Sequence, residues 1–197
     1  MELSLLLSMA GFALAMSISP GPVNLVALSA GAQYGFRASL RHVVGATLGF
    51  ILLLLLMGLG LGGALSQWPM ALGAIHWGGI LFLCYMAWLL IRDKGEIEAE
   101  RGAPPAFWYG ALMQWLNPKA WLAASMGMGA YGVAGGAGQV ILFTCLYLVI
   151  CLGSIACWAY AGSFLQQALL CARRLRWFNR VMALLLLFSA AYLVRSS

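Results

Sequence analysis

Six long apolar stretches, almost empty of ionisable residues, dominate this chain: Leu3 to Ala30, Val43 to Leu65, Leu72 to Ile91, Ala106 to Ala130, Val140 to Phe164 and a shorter one from Val181 to Val194. Hydrocarbon offers backbone N–H and C=O groups no water to bond. An apolar run of roughly 20 residues is therefore stable there only as a helix. The stretches predict an all-α membrane protein with six transmembrane helices in a single domain, residues 1–197. With 63% apolar and only 8% charged residues, the chain cannot coat a soluble globule, and no soluble catalytic domain fits beside the spans. Ala13-Leu14-Ala15 has the small-x-small form of a leader cleavage site. Met1-Glu2 lacks a basic start, however, and the apolar character resumes beyond it, so this stretch reads as the first span.

The charges between the stretches set an orientation. Arg37 and Arg41 follow the first stretch, Arg92, Lys94 and Arg101 the third, and Arg173, Arg174, Arg176 and Arg180 the fifth. The other two connectors, 66–71 and 131–139, hold no Lys or Arg. Basic residues on alternate connectors are the mark of cytoplasmic loops, which places both termini on the periplasmic side. The net charge of +6 then needs anionic lipid and no nucleic acid as its partner. Residues 92–105 form a solvated cytoplasmic loop, closed by Pro104 and Pro105. Trp68, Trp77, Trp108, Tyr109 and Trp177 read as interfacial anchors, and so do His42 and His76 near the ends of their spans. The five cysteines form no CxxC pair, and Cys145, Cys151 and Cys157 do not share a helix face. They read as buried apolar residues, and no metal or cofactor is expected.

One charge breaks this pattern. Lys119, in GALMQWLNPKAWLAAS, lies near mid-span, about 20 Å of helix from either end of its stretch and too deep to snorkel with ease. An ammonium there costs about 2.5 to 3.5 kcal/mol on insertion scales, and such residues usually face a bundle interior or a wet cavity. It follows directly on Asn117-Pro118, which interrupts the fourth stretch as Pro20-Gly21-Pro22 interrupts the first. Proline removes a backbone donor and clashes with the preceding turn, so both spans should break.

The two breaks lie about half a chain apart and run into similar text, NLVALSAGAQYG and AWLAASMGMGAYG. Two halves of three helices each, residues 1–91 and 106–197, must have opposite orientations. The layout is that of two inverted three-helix repeats, with the first and fourth helices broken at a central substrate site. Each break exposes a helix N-terminus with unpaired N–H groups, and Ser19 or Gly21 would cap the half-helix opening at Pro22. Together with Lys119 these ends favour a carboxylate. Asn24, Gln114, Asn117, Ser17 and Ser19 supply neutral polar contacts, and with no acid inside any stretch a small zwitterion fits better than a metal ion.

The phrases PGPVNLVALSAGAQYGFRAS, GATLG, WGGILFLCYMAWLLIR, LNPKAWLAAS and RWFNRVMALLLLFSAAYL resemble the LysE/RhtB family of amino-acid exporters over essentially the whole chain. The likeness is nearest to the branch containing cysteine and O-acetylserine exporters. The resemblance implies a bacterial inner-membrane efflux protein for a small amino acid or its metabolite, of cysteine/O-acetylserine, homoserine or threonine type, driven by the proton gradient. It carries the family motifs onto Pro20, Gly21, Pro22, Asn117, Pro118 and Lys119. Val23 stands where relatives often have a polar residue.

Arg37 and Arg41, one helical turn apart, are candidates for a cytoplasmic gate beside their topological role. Gly45 and Gly49, with glycines 58, 60, 62 and 63, suggest close helix packing within one chain or between two, so a homodimer is an expectation. Proton coupling would fall to Lys119, with His42 and His76 as candidate relays. The alternative function is a passive channel for small anions or carboxylates, which would use the same positive centre. An intramembrane enzyme would need a nucleophile with its base, or paired carboxylates, at mid-span, and the stretches hold neither.

Overall fold

The computed structural model describes residues 3–61, 69–92, 104–132, 136–165 and 171–195. Among these residues every regular element is helical: α1 (Leu3–Ile18), α2 (Pro22–Tyr34), α3 (Phe36–Leu56, running into a π-helical turn at Met57–Leu61), α4 (Pro69–Arg92), α5 (Phe107–Trp115), α6 (Pro118–Tyr131), α7 (Gly136–Leu165) and α8 (Ala172–Arg195). The two expected interruptions are present. α1 and α2 meet at a bend of 60° across Ser19–Gly21. α5 stops at Trp115, and Asn117 is extended (φ −96°, ψ 107°), the conformation that a following proline favours.

Phe36–Leu61 and Gly136–Leu165 are each long and apolar enough to cross a membrane alone, and the bent pair α1–α2 makes a third candidate. The nine-residue α5 is too short to span by itself, at about 14 Å of helix. Large apolar side chains face outward along the bundle: Leu81, Val149 and Phe188 are 68%, 70% and 75% exposed. A surface of that kind suits lipid and would aggregate in water.

Several boundaries differ from those read in the sequence. α3 begins at Phe36, so Arg37 and Arg41 occupy its first two turns and not a connector. α8 begins at Ala172, so Arg173 to Arg180 form the start of that helix. A helix can carry arginines past the hydrocarbon into the headgroup region, where hydropathy alone stops counting it. Cys151 is buried as expected, but Cys145, Cys157 and Cys171 are exposed and Cys84 is half-buried. Thiols are apolar enough to face lipid as readily as protein. His42, in the second turn of α3, is fully buried against α5. Trp77, Trp108, Tyr109 and Trp177 are exposed. Trp68, Gly62, Gly63 and the acidic loop 93–103 lie outside the described residues, as does the side chain of His76.

The central core joins α1, α2, α3, α5, α6 and α7, and a second cluster seats α4 and α8 against Leu25 and Leu28 of α2. At the arginine-bearing end the helices touch backbone to backbone. A Cβ on Gly31 of α2 would strike the Ala159 carbonyl, and one on Gly162 of α7 the Leu28 carbonyl. Gly45 and Gly49 of α3 likewise lie on the backbone of Phe107 and Ala111. The glycine pair thus packs α3 on α5 within one chain. At the opposite end, Gly58 and Gly127 meet only side chains, of Val140, Met128, Phe12 and Phe143.

Candidate functional site

The first break frees carbonyls that an unbroken helix would have bonded. Pro20 and Pro22 have no N–H to give to the carbonyls of Met16 and Ile18, four residues back. Every carbonyl from Met16 to Pro20 nevertheless has a side-chain donor. Ser19 Oγ donates to Met16 O (3.3 Å), and Trp158 Nε1 of α7 to Ile18 O (3.0 Å). Asn24 Nδ2 donates to both Ser17 O (2.8 Å) and Ser19 O (2.9 Å). Lys119 Nζ reaches across from α6 to Ser19 O (2.7 Å), Ser19 Oγ (2.8 Å) and, more loosely, Pro20 O (3.4 Å).

Lys119 therefore sits on the carbonyl end of α1, where a helix dipole favours a cation. All five acidic residues of the chain, Glu2, Asp93, Glu96, Glu98 and Glu100, fall outside the described residues, so the ammonium's partners here are neutral oxygens. The Lys119 ammonium, expected beside the two helix N-termini, makes its three hydrogen bonds to the first break. A Cβ on Gly21 would stand 3.4 Å from Lys119 Cδ and Nζ, so the ammonium arm lies against the backbone of the break.

The two helix starts differ. Gly21 is the N-cap of α2 and offers no side-chain acceptor, while Ser19, the other cap candidate, is occupied by Lys119 and Met16. The Leu25 N–H bonds Gly21 O (2.9 Å), which leaves the N–H groups of Val23 and Asn24 without an acceptor in their own helix. α6 is capped from within. Asn117 Oδ1 accepts the Lys119 N–H (3.2 Å), Asn117 O accepts from Ala120 N–H (2.9 Å), and Asn117 Nδ2 donates to Gln114 Oε1 (3.3 Å). The Gln114 carbonyl, orphaned by Pro118, takes the Asn117 N–H (3.2 Å).

Between the breaks lies a cavity of about 40 Å³, lined among others by Gly21, Asn24, Gln114, Asn117 and Lys119. It holds a few waters at most. Five of the eight residues expected to bind substrate thus line one space. Pro20, Pro22 and Pro118 shape the breaks without lining it. Arg37 and Arg41 stand apart, exposed at the end of the bundle. Val23 lines the cavity too, as an apolar wall.

Three contributors were missed in the sequence. Trp158 carries no local signal, and only its placement against a proline-orphaned carbonyl reveals its part. Tyr147 and Cys151 belong to a stripe on α7, Thr144, Tyr147, Cys151 and Ser154, all buried. Their spacing of three and four residues was the available signal, hidden by counting cysteines alone.

The family model of the LysE type translocator matches residues 14–197. The cysteine/O-acetylserine efflux proteins of Salmonella typhimurium (strain LT2) and Escherichia coli (strain K12) are 30% and 29% identical to this chain over 182 residues, 91% of it and 92% of each relative. No solved structure matches. An all-helical, lipid-facing bundle carrying the PGP and NPK breaks, matched over nearly its whole length, belongs to the LysE-type translocator family and is a multi-pass bacterial membrane protein.

Proposed function

We propose that the chain is a secondary exporter of the bacterial inner membrane for a small amino acid or its metabolite, of the cysteine/O-acetylserine, homoserine or threonine type. The observation that carries this reading is the Lys119 ammonium held on the Ser19 and Pro20 oxygens beside the uncapped N–H groups of Val23 and Asn24. A zwitterion is complementary to that arrangement. Its carboxylate would draw Lys119 off the longest contact, to Pro20 O, and accept from the Val23 and Asn24 N–H groups. Its own ammonium would take the carbonyl oxygens that Lys119 gives up. The names of the two relatives, efflux proteins for cysteine and O-acetylserine, support the substrate class.

On this reading the six stretches are six spans, arranged as two inverted repeats, 1–91 and 106–197, joined by a cytoplasmic loop at 92–105. The arginine-bearing ends face the cytoplasm and both termini the periplasm. The halves rock about the two breaks to expose the cavity alternately to each side. Coupling to protons runs through Lys119, whose deprotonation would remove the charge that binds both the first break and the substrate carboxylate. Counterflow in proteoliposomes tests the proposal. Saturable, stereoselective exchange of a labelled small amino acid is expected. An ohmic anion current without such exchange would overturn it in favour of a passive channel.

A further inference from the structure

Three polar side chains line the cavity yet hold neither break: Ser17 of α1, and Tyr147 and Cys151 of α7. All three are buried, at 9%, 1% and 4% exposure. Ser17 Oγ makes no hydrogen bond of good geometry, and the Tyr147 hydroxyl and the Cys151 thiol are its polar neighbours. A buried hydroxyl without a partner is costly, and native structures keep few of them unless a bound group completes the bonding. Tyr147, Cys151 and Ile155 follow one another at four-residue steps along a single face of α7, so all three present to the same space. Phe50 packs on the Tyr147 ring at 4.7 Å between centroids and closes that side of the cavity.

We propose that Ser17, Tyr147 and Cys151 form a side-chain subsite that takes the β-hydroxyl or β-thiol of a small amino acid, with Phe50 and Ile155 limiting its size. A hydroxyl or thiol both donates and accepts, which suits a wall of two hydroxyls and a thiol. Among the described residues Lys119 is the only formally charged one lining the cavity. It is already required by the carboxylate, so a side chain carrying its own charge would be desolvated without a counter-ion. An O-acetyl ester has no O–H or S–H to donate to the wall and is bulkier than either side chain, on the side that Phe50 and Ile155 close. The subsite therefore favours serine and cysteine over O-acetylserine, and over alanine, which leaves Ser17 unpaired.

The inference rests on the exporter reading, and one experiment separates the two. Purified protein in proteoliposomes is assayed for counterflow with serine, cysteine, alanine, O-acetylserine and leucine. Serine and cysteine should exchange best. Ser17→Ala should lower the serine-to-alanine ratio by about fivefold, the usual worth of one hydrogen bond. Cys151→Ala should raise O-acetylserine relative to serine by opening the wall. Ratios measured within one preparation do not depend on how much of a variant folds. If the unmodified protein exchanges none of these amino acids, the exporter reading falls and takes the subsite with it. If it exchanges O-acetylserine or leucine as well as serine, or if Ser17→Ala leaves the serine-to-alanine ratio unchanged, the subsite is overturned while the exporter reading stands.

Discussion

The two broken helices solve the same problem in different ways. At the second break the carbonyls of Gln114 and Trp115 are bonded from within residues 114–121: Asn117 N–H donates to Gln114 O, and Trp121 Nε1 to Trp115 O (2.8 Å), while Asn117 caps α6 and bonds the Gln114 side chain. At the first break the carbonyls of Ile18 and Pro20 depend on Trp158 and Lys119, from helices about 100 residues or more away in sequence, and Ser19 O shares Lys119 with the nearby Asn24. A locally closed break keeps its geometry whatever its neighbours do. A break held by remote donors changes when they leave, which makes the first break the one able to respond to a ligand. It also retains two uncapped N–H groups, whereas the second has spent its own on Asn117.

Removing the remote donors is the way to break this contrast. Lys119→Ala deletes an ammonium that makes two short hydrogen bonds, and exchange should fall on the order of a hundredfold. Lys119→Arg should retain part of it, and counterflow at matched protein levels measures both. Normal exchange by Lys119→Ala would show that the first break is as self-sufficient as the second. Gly162→Ala should come next. It forces α7 away from the Leu28 backbone and should cost about 1 to 3 kcal/mol, seen as a lower thermal midpoint in detergent. Trp158→Phe keeps the ring and leaves Ile18 O unbonded, for about 1 to 2 kcal/mol by the same measurement. Asn117→Ala removes the α6 cap and should cost about 1 kcal/mol. If Asn117→Ala instead exceeds Trp158→Phe, the second break is the more fragile one. The smallest effect is expected from Arg41→Gln, which is exposed and should leave exchange nearly unchanged if its role is topological.

Both breaks were legible in the sequence because proline acts through covalent geometry. Pro20, Pro22 and Pro118 lack an N–H in any environment, so the interruptions followed from residue identity alone. The burial of Asn24, Gln114 and Asn117 followed too, since polar residues inside apolar stretches must turn from lipid. The reach of α3 and α8 into their arginines was not legible. A hydropathy pattern ends where charge begins, while a helix ends only where its hydrogen bonds do.

The chain's own text determined that it lies in a membrane, that two helices break, and that one ammonium lies deep among them, because each follows from desolvation cost or from proline's missing donor. Tertiary structure alone decided what the ammonium holds. Which carbonyl Lys119 reaches, which tryptophan covers Ile18, and which hydroxyl is left for a ligand depend on how α1, α6 and α7 approach in space. Those approaches are set by packing between residues far apart in the chain, where no local pattern records them.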